Sequence, residues 1–204
     1  FTDVFQTSVV DNFADEYLAG RTPNPCVRCN SLVKWDAFVQ QADKLGATYI
    51  ATGHYAKVQH LKRFSVLKKG KDSLKDQAYV LWGIPAHTLS RTLFPLGDLT
   101  KEEVRNIARK NKFETAEIPE SMEICFVADN NYKRFLKEYV PEKMSEIDAG
   151  EIVDESGVVV GEHSGYTNYT IGQRKGLGLS TPEPRYVSNI DPSNNQIRIG
   201  KKGS

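Results

Sequence analysis

The sequence predicts an α/β fold, a partial parallel-sheet domain followed by a smaller, β-rich α+β domain. Three observations predict it. In the first part, runs with helical spacing lead into a short apolar strand closed by a glycine, which is the grammar of parallel-sheet proteins. After Cys125, short β-branched runs flank turn-forming residues, the pattern of hairpins. The change of character falls near residue 128, and no internal repeat or low-complexity tract blurs it.

The elements follow in order. Val9, Val10, Phe13, Ala14, Tyr17 and Leu18 recur at helical spacing, and Gly20 suits the left-handed position just past a helix end. A second helix is predicted through Trp35, Phe38, Val39, Ala42 and Leu45, ending at Gly46. Ala47 to Thr52 predicts a buried strand broken by Gly53. Ligands of parallel sheets bind beyond the carboxyl ends of the strands, which places Gly53, His54 and Tyr55 at the functional edge. Thr100 to Glu103 forms a capping box, with Leu99 and Val104 spaced for a hydrophobic staple, and that helix continues through Ile107 and Ala108. Tyr132 to Tyr139 predicts a short helix stopped by Pro141. Glu151–Val153 and Val158–Val160 flank a turn at Asp154 to Gly157, and a second hairpin fits Tyr186–Ile190 with Gln196–Ile199.

Composition bounds the function classes. With 204 residues, 39% hydrophobic and 26% charged, the chain can bury a sizeable core. No apolar run approaches the roughly 20 residues that span a bilayer, and no secretory leader pattern is present, so no membrane role is expected. Three cysteines are too few for a disulfide framework, which points to a reducing, cytoplasmic setting. The chain opens on Phe1 within a pattern, as a piece of a longer protein would. Net charge is +1, but it is segregated. Lys57 to Lys75 holds seven bases against one acid, and Glu142 to Glu162 seven acids against one base. Tyr166 to Ser204 is basic again, six against two. Segregation of this kind steers a polyanion onto one face, or simply solvates separate surfaces.

Two cysteines stand in settings suited to sulfur chemistry. Cys29 closes a Pro- and Asn-rich run from Asn24 that predicts a turn or loop, and Cys125 follows Pro119 at what reads as the start of a short apolar strand. Cys26 and Cys29 form a C-x-x-C, which alone fits half a zinc site, a redox pair or part of an iron–sulfur site. No second C-x-x-C completes a zinc ribbon. Cys125 could equally be a small buried hydrophobe. His54 is either a loop histidine bonded to the backbone or a donor aimed past the sheet edge. Asp76, between Lys75 and Gln77, is placed to cap a helix over Ala78 to Trp82, whose N-terminus beside a lysine would suit a phosphate. Gly172 to Gly178, with Arg174 and Lys175, could also cradle phosphate, although the chain has no G-x-x-x-x-G-K-[ST] loop.

Six motifs then occur in order: Gly20 to Asn30 (GRTPNPCVRCN), Ala51 to Ala56 (ATGHYA), Lys75 to Gln77 (KDQ), Phe94 to Gly97 (FPLG), Ile124 to Phe126 (ICF) and Tyr169 to Gly178 (YTIGQRKGLG). Together they resemble the bacterial tRNA-specific 2-thiouridylase family along nearly the whole chain. The resemblance implies a PP-loop type domain remainder at residues 1–128, a small central domain at 129–185 and the start of a C-terminal β-barrel at 186–204. It implies an enzyme that activates C2 of the wobble uridine (position 34) of tRNA with ATP and Mg²⁺, then replaces the activated oxygen with sulfur and releases AMP.

By the same resemblance, Cys125 receives a persulfide from a sulfur-relay protein, and Cys29 attacks it or closes a disulfide with Cys125. Asn24, Pro25 and Cys26 match the loop around the target base, Gly53 an ATP contact, and His54, Lys75, Asp76 and Gln77 tRNA contacts. A cytoplasmic monomer is implied. Two departures stand out. The family's Ser-Gly-Gly-x-Asp-Ser loop is not in this sequence, so the chain alone is expected not to adenylate uridine. Cys26 replaces an Asp that many members carry, creating a three-cysteine set with Cys29 and Cys125 that could hold a [4Fe–4S] cluster, as related tRNA thiolases do. The alternatives are a non-catalytic RNA-binding module and a thiol-redox or iron–sulfur protein.

Overall fold

The computed structural model describes residues 1–118 and 124–203. It divides the chain into two compact units: residues 1–9 with 25–122, and residues 10–24 with 123–204. An N-terminal helical run of α1 (Thr2–Phe5), a π-helical stretch (Gln6–Asp11) and α2 (Asn12–Leu18) supplies residues to both. It ends as its sequence predicts, with Gly20 at φ +68° just past the last turn.

In the first unit, α3 (Pro25–Arg28) runs into a π-helical segment (Cys29–Ala37) and α4 (Phe38–Lys44), which Gly46 terminates at φ +68°. Trp35, Val39 and Ala42 form the buried face of this helical run, whereas Leu45 lies exposed. Strand β1 is only Ile50–Ala51, shorter than the predicted Ala47–Thr52, because its parallel partner β4 (Thr92–Leu93) offers two residues of ladder. An antiparallel hairpin, β2 (Ala56–His60) and β3 (Ser65–Lys69), follows. A 3₁₀ turn (Ala78–Leu81) and α5 (Ala86–Leu89) lead back to β4. Trp35, Val39, Ile50, Ala56, Leu81 and Leu89 close the core. Helix α6 (Lys101–Lys110) begins with the predicted capping box, Glu103 N–H to Thr100 Oγ1 at 3.2 Å and Thr100 N–H to the Glu103 carboxylate at 2.6 Å.

In the second unit, α7 (Tyr132–Tyr139) matches its predicted span, and Pro141 opens a further short helix, α8 (Pro141–Ser145). Phe13, Ala14, Tyr17 and Leu136 form one apolar cluster. The two predicted hairpins appear as β5 (Gly150–Val153) with β6 (Val159–His163), and β7 (Tyr186–Asp191) with β8 (Gln196–Gly200). A parallel pairing of β5 with β8 joins them into one sheet, in the order β6-β5-β8-β7. Position 185/186 therefore falls just before a strand of that shared sheet. Ile152, Val187, Ile197 and Ile199 are its core. Among the described residues no helix is long and apolar enough to cross a membrane.

Candidate thiol and RNA-binding site

Asn24 is exposed, and the chain becomes helical at Pro25, so only the start of the expected loop is a loop. The reason is local. Proline at the first helical position has its φ already set and lacks an N–H that would be unbonded there. Cys26 is exposed on α3, and Cys29 is half-buried at the head of the π-helical segment. Side-chain bonds fix this segment on both sides. Arg28 Nε donates to the Ser8 carbonyl at 2.8 Å, Ser31 Oγ to the Val27 carbonyl at 2.9 Å, and Asn30 Nδ2 to the Val80 carbonyl at 3.0 Å. Trp35 Nε1 donates to Thr92 Oγ1 at 2.9 Å, which in turn donates to the Thr88 carbonyl at 2.8 Å. Cys29 thus stands on a braced helix. π-Helical turns are rare and concentrate at functional sites.

At the end of β1, Gly53 is exposed; a Cβ built there would meet only Leu96 Cδ1, at 3.7 Å. The fold itself does not demand glycine at that position. His54 is buried against Trp35 and Phe94. Burial, and then the Lys34 charge, push its pKa down to about 4, so the ring is neutral at pH 7. Lys34 Nζ lies 3.5 Å from Nε2, and an ammonium can only donate. Nε2 is therefore the lone-pair nitrogen, and Nδ1–H donates to Thr52 Oγ1 at 2.8 Å. His54 departs from both readings of its sequence position: its ring is tied to two side chains rather than to the backbone, and its Nδ1–H is spent on Thr52 within the fold.

The Lys75–Asp76–Gln77 motif is a hinge of polar ties. Gln77 Oε1 accepts from Tyr55 N–H at 3.0 Å, and Gln77 N–H donates to the Tyr55 carbonyl at 2.9 Å. Asp76 does not cap the helix expected over Ala78 to Trp82. That helix is a four-residue 3₁₀ turn, and Asp76 Oδ1 chiefly accepts from Gly70 N–H, at 2.7 Å, at the end of the hairpin. So short a turn provides no helix N-terminus for a phosphate. Gly97 is dictated by packing, since a Cβ there would lie 2.1 Å from the Ala56 carbonyl oxygen. Across the hairpin Lys57 faces Lys68, a like-charge pair that costs stability, with Lys57 bridged to Asp98 at 2.5 Å.

In the second unit, Cys125 is exposed in a turn closed by Val127 N–H to the Ile124 carbonyl at 2.9 Å, not in a strand. Its apolar run is brief, and both neighbours are anchored: Ile124 and Phe126 pack against the Phe13 cluster, with Phe13 and Phe126 edge to face at 5.2 Å. Pro119 and Ser121 to Glu123 of this motif lie outside the described residues. The Gly172–Gly178 run braces the fold. Gly172 N–H donates to the Val187 carbonyl at 2.7 Å, Val187 N–H to the Gln173 carbonyl at 2.9 Å, and Leu177 enters the core, while Lys175 remains exposed. Among the described residues no group of three or more His, Cys, Asp or Glu side chains is placed to hold a metal ion.

Two family models match the chain. Residues 1–129 match the tRNA methyl transferase HUP domain, and residues 133–201 the tRNA methyl transferase PRC-barrel domain. A relative from Chlorobium phaeobacteroides is 51% identical over 198 residues, covering 97% of this chain and 55% of the relative. One from Natranaerobius thermophilus is 50% identical over 204 residues, covering 99% and 55%. Both are called tRNA-specific 2-thiouridylase MnmA.

The chain belongs to the tRNA-specific 2-thiouridylase family.

It spans about half the length of the curated relatives it matches. Within this 2-thiouridylase family chain, sequence reasoning named the thiols, His54 and the KDQ motif as candidates and gave no site role to Lys34, Thr52 or Trp82. Lys34 carried one faint signal, a base five residues beyond Cys29 on the same helical run. Its meeting with His54 is a tertiary fact.

Proposed function

We propose that the intact protein is a cytoplasmic, ATP-dependent sulfurtransferase that thiolates C2 of the wobble uridine in tRNA through a cysteine persulfide. The single observation that carries this reading is identity at about half of all positions, along almost the whole chain, with proteins called 2-thiouridylases. The geometry adds support. Cys29 is held on a braced helix, Cys125 is presented between two anchored apolar side chains, and Gly53 leaves room at a strand end. ATP, with Mg²⁺, would supply the activation of the uridine C2 oxygen; of the residues that would hold it, this chain offers Gly53.

The remaining steps belong to the thiols. A relay protein passes a sulfur atom to Cys125, giving Cys125–S–SH. The Cys29 thiolate attacks the Cys125 sulfur, forming a disulfide and expelling hydrosulfide, which adds to the activated C2 and displaces AMP. The thiolate is the attacking species in each exchange. The disulfide returns to two thiols at the expense of two electrons from an external dithiol. Asn24, Pro25 and Cys26 surround the base, which must leave its stack to be reached. His54, Lys75, Asp76 and Gln77 contact the tRNA, and the Lys57–Lys68 pair is relieved by phosphate. The protein acts as a monomer. Serine replacement of Cys29 or Cys125 in the intact protein is expected to abolish 2-thiouridine formation while ATP-dependent uridine activation persists. Undiminished thiolation by either variant refutes the reading, as does failure to find a persulfide on Cys125 after incubation with a sulfur donor.

A further inference from the structure

Trp82 is 72% exposed and Tyr79 70%, an unusual outlay of aromatic surface for two residues three apart. Their segment is not loose. Between them Leu81 is 1% exposed in the core. On one side the Val80 carbonyl accepts from Asn30; on the other, Gly83 packs so closely that a Cβ would lie 2.2 Å from Ser31 Oγ. Asn30 and Ser31 are the two residues that follow Cys29. Trp82 is therefore pinned, through both flanks, to the helix turn that bears the thiol. Lys75 lies just upstream, and the Lys57–Lys68 hairpin leads into the same segment.

From this juxtaposition we infer that Trp82, with Tyr79 beside it, is a stacking platform for an unpaired RNA base next to the target uridine. The occupant follows from chemistry. Indole and phenol faces accept any base by stacking, without regard to its edge, and neighbouring lysines neutralise the backbone that carries it. Single-stranded loops present such splayed bases. A uridine flipped out of its stack leaves its neighbour short of a partner, and a rigid aromatic face replaces that lost stack. The inference rests on the tRNA-thiolation reading above and adds to it the residue that holds the base alongside.

The test uses the intact protein with Trp82→Ala and Trp82→Phe. Target tRNA is expected to quench the part of the tryptophan emission that disappears in Trp82→Phe, which separates it from the buried Trp35 and any other indole of the intact protein, and ATP alone is expected not to. Trp82→Ala should raise the KM for tRNA about tenfold or more, leave the KM for ATP unchanged, and be largely rescued by phenylalanine. No quenching with an unchanged KM overturns the inference. So does a Trp82→Ala protein that melts earlier but keeps its KM for tRNA, since Trp82 would then be covered by protein. The two readings fail separately: tRNA that quenches Trp82 without being thiolated refutes the reaction and keeps the platform, whereas thiolation without quenching refutes the platform alone.

Discussion

His54 in the first unit and His163 in the second are both buried, yet their surroundings differ in kind. His54 has a lysine ammonium at Nε2 and a threonine hydroxyl at Nδ1. His163 sits between backbone groups: Gly165 N–H donates to its Nδ1 at 3.1 Å, so Nε2 carries the proton and donates to the Asn195 carbonyl at 3.0 Å. The two rings hold opposite tautomers. One faces a cation at a strand end, and the other ties two stretches of main chain. The contrast extends to the units. The first has an apolar core and a hairpin but only two-residue parallel strands, and side-chain ties from Asn30, Trp35, Asp76 and Gln77 fix its segments. The second has a four-stranded sheet whose ladder and apolar face do that work. Polar ties fix positions at little net gain in stability, whereas packed apolar area supplies stability directly.

The sharpest way to break this comparison is to cut the packing. Ile197 is fully buried at the centre of the second unit's core. Ile197→Ala is expected to cost about 2–5 kcal/mol in denaturant unfolding, through lost transfer energy and a cavity. Ile107→Ala on α6, where isoleucine is half exposed, should stay within about 0.5 kcal/mol. Equal costs at the two sites would remove the distinction between packed and surface apolar residues on which the comparison stands.

The second test is acid. In the unfolded chain His54 takes up a proton near its ordinary pKa of 6.5, whereas in the fold it resists until about 4. The unfolded state therefore binds more protons between these values. The contribution is intact above about 6.5, declines as pH falls, and is lost as pH passes through about 4, a loss on the order of 3 kcal/mol. His163 is also lowered by burial, partly offset by its bond to the Asn195 carbonyl, and acts in the same direction. Urea midpoints measured across pH should flatten most in His54→Gln and less in His163→Gln. The reverse order would mean that burial, with the Lys34 charge beside it, does not hold the His54 ring neutral.

What the sequence made legible follows the range of the forces involved. Helix ends at Gly20 and Gly46, the Thr100 capping box and both hairpins depend on neighbours within a few residues, and all appear where the pattern puts them. The strand over Ala47 to Thr52 shrank to Ile50–Ala51 because strand length is set by the partner, here two residues of β4. The parallel β5–β8 pairing joins residues some 45 positions apart, and no local pattern announces it. The site divides in the same way. Cys29, Cys125 and His54 stand out as candidates by residue type and motif. That Asn30 reaches Val80, that Lys34 meets His54, and that Trp82 faces outward from a run the pattern predicts only as a helix are all products of tertiary packing.

A small expected effect on stability is the most telling about the first unit. Asn30 is 2% exposed; its Nδ2 donates to the Val80 carbonyl, but its Oδ1 is buried without a hydrogen-bond partner among the described residues. Asn30→Ala loses one hydrogen bond and strands a carbonyl, but it also removes an acceptor that was already unsatisfied. These terms oppose each other, so the net cost should be about 1 kcal/mol or less in denaturant unfolding. On the proposed function, thiolation by the intact protein should fall by far more than that cost accounts for, because the substitution releases the turn carrying Tyr79 and Trp82 from the helix carrying Cys29. A side chain kept for stability would show the opposite balance, a large shift in the unfolding midpoint with activity retained per folded molecule. A polar tie kept for registration would show, on the proposed reading, as a folded protein whose thiol and aromatic face are no longer held in register.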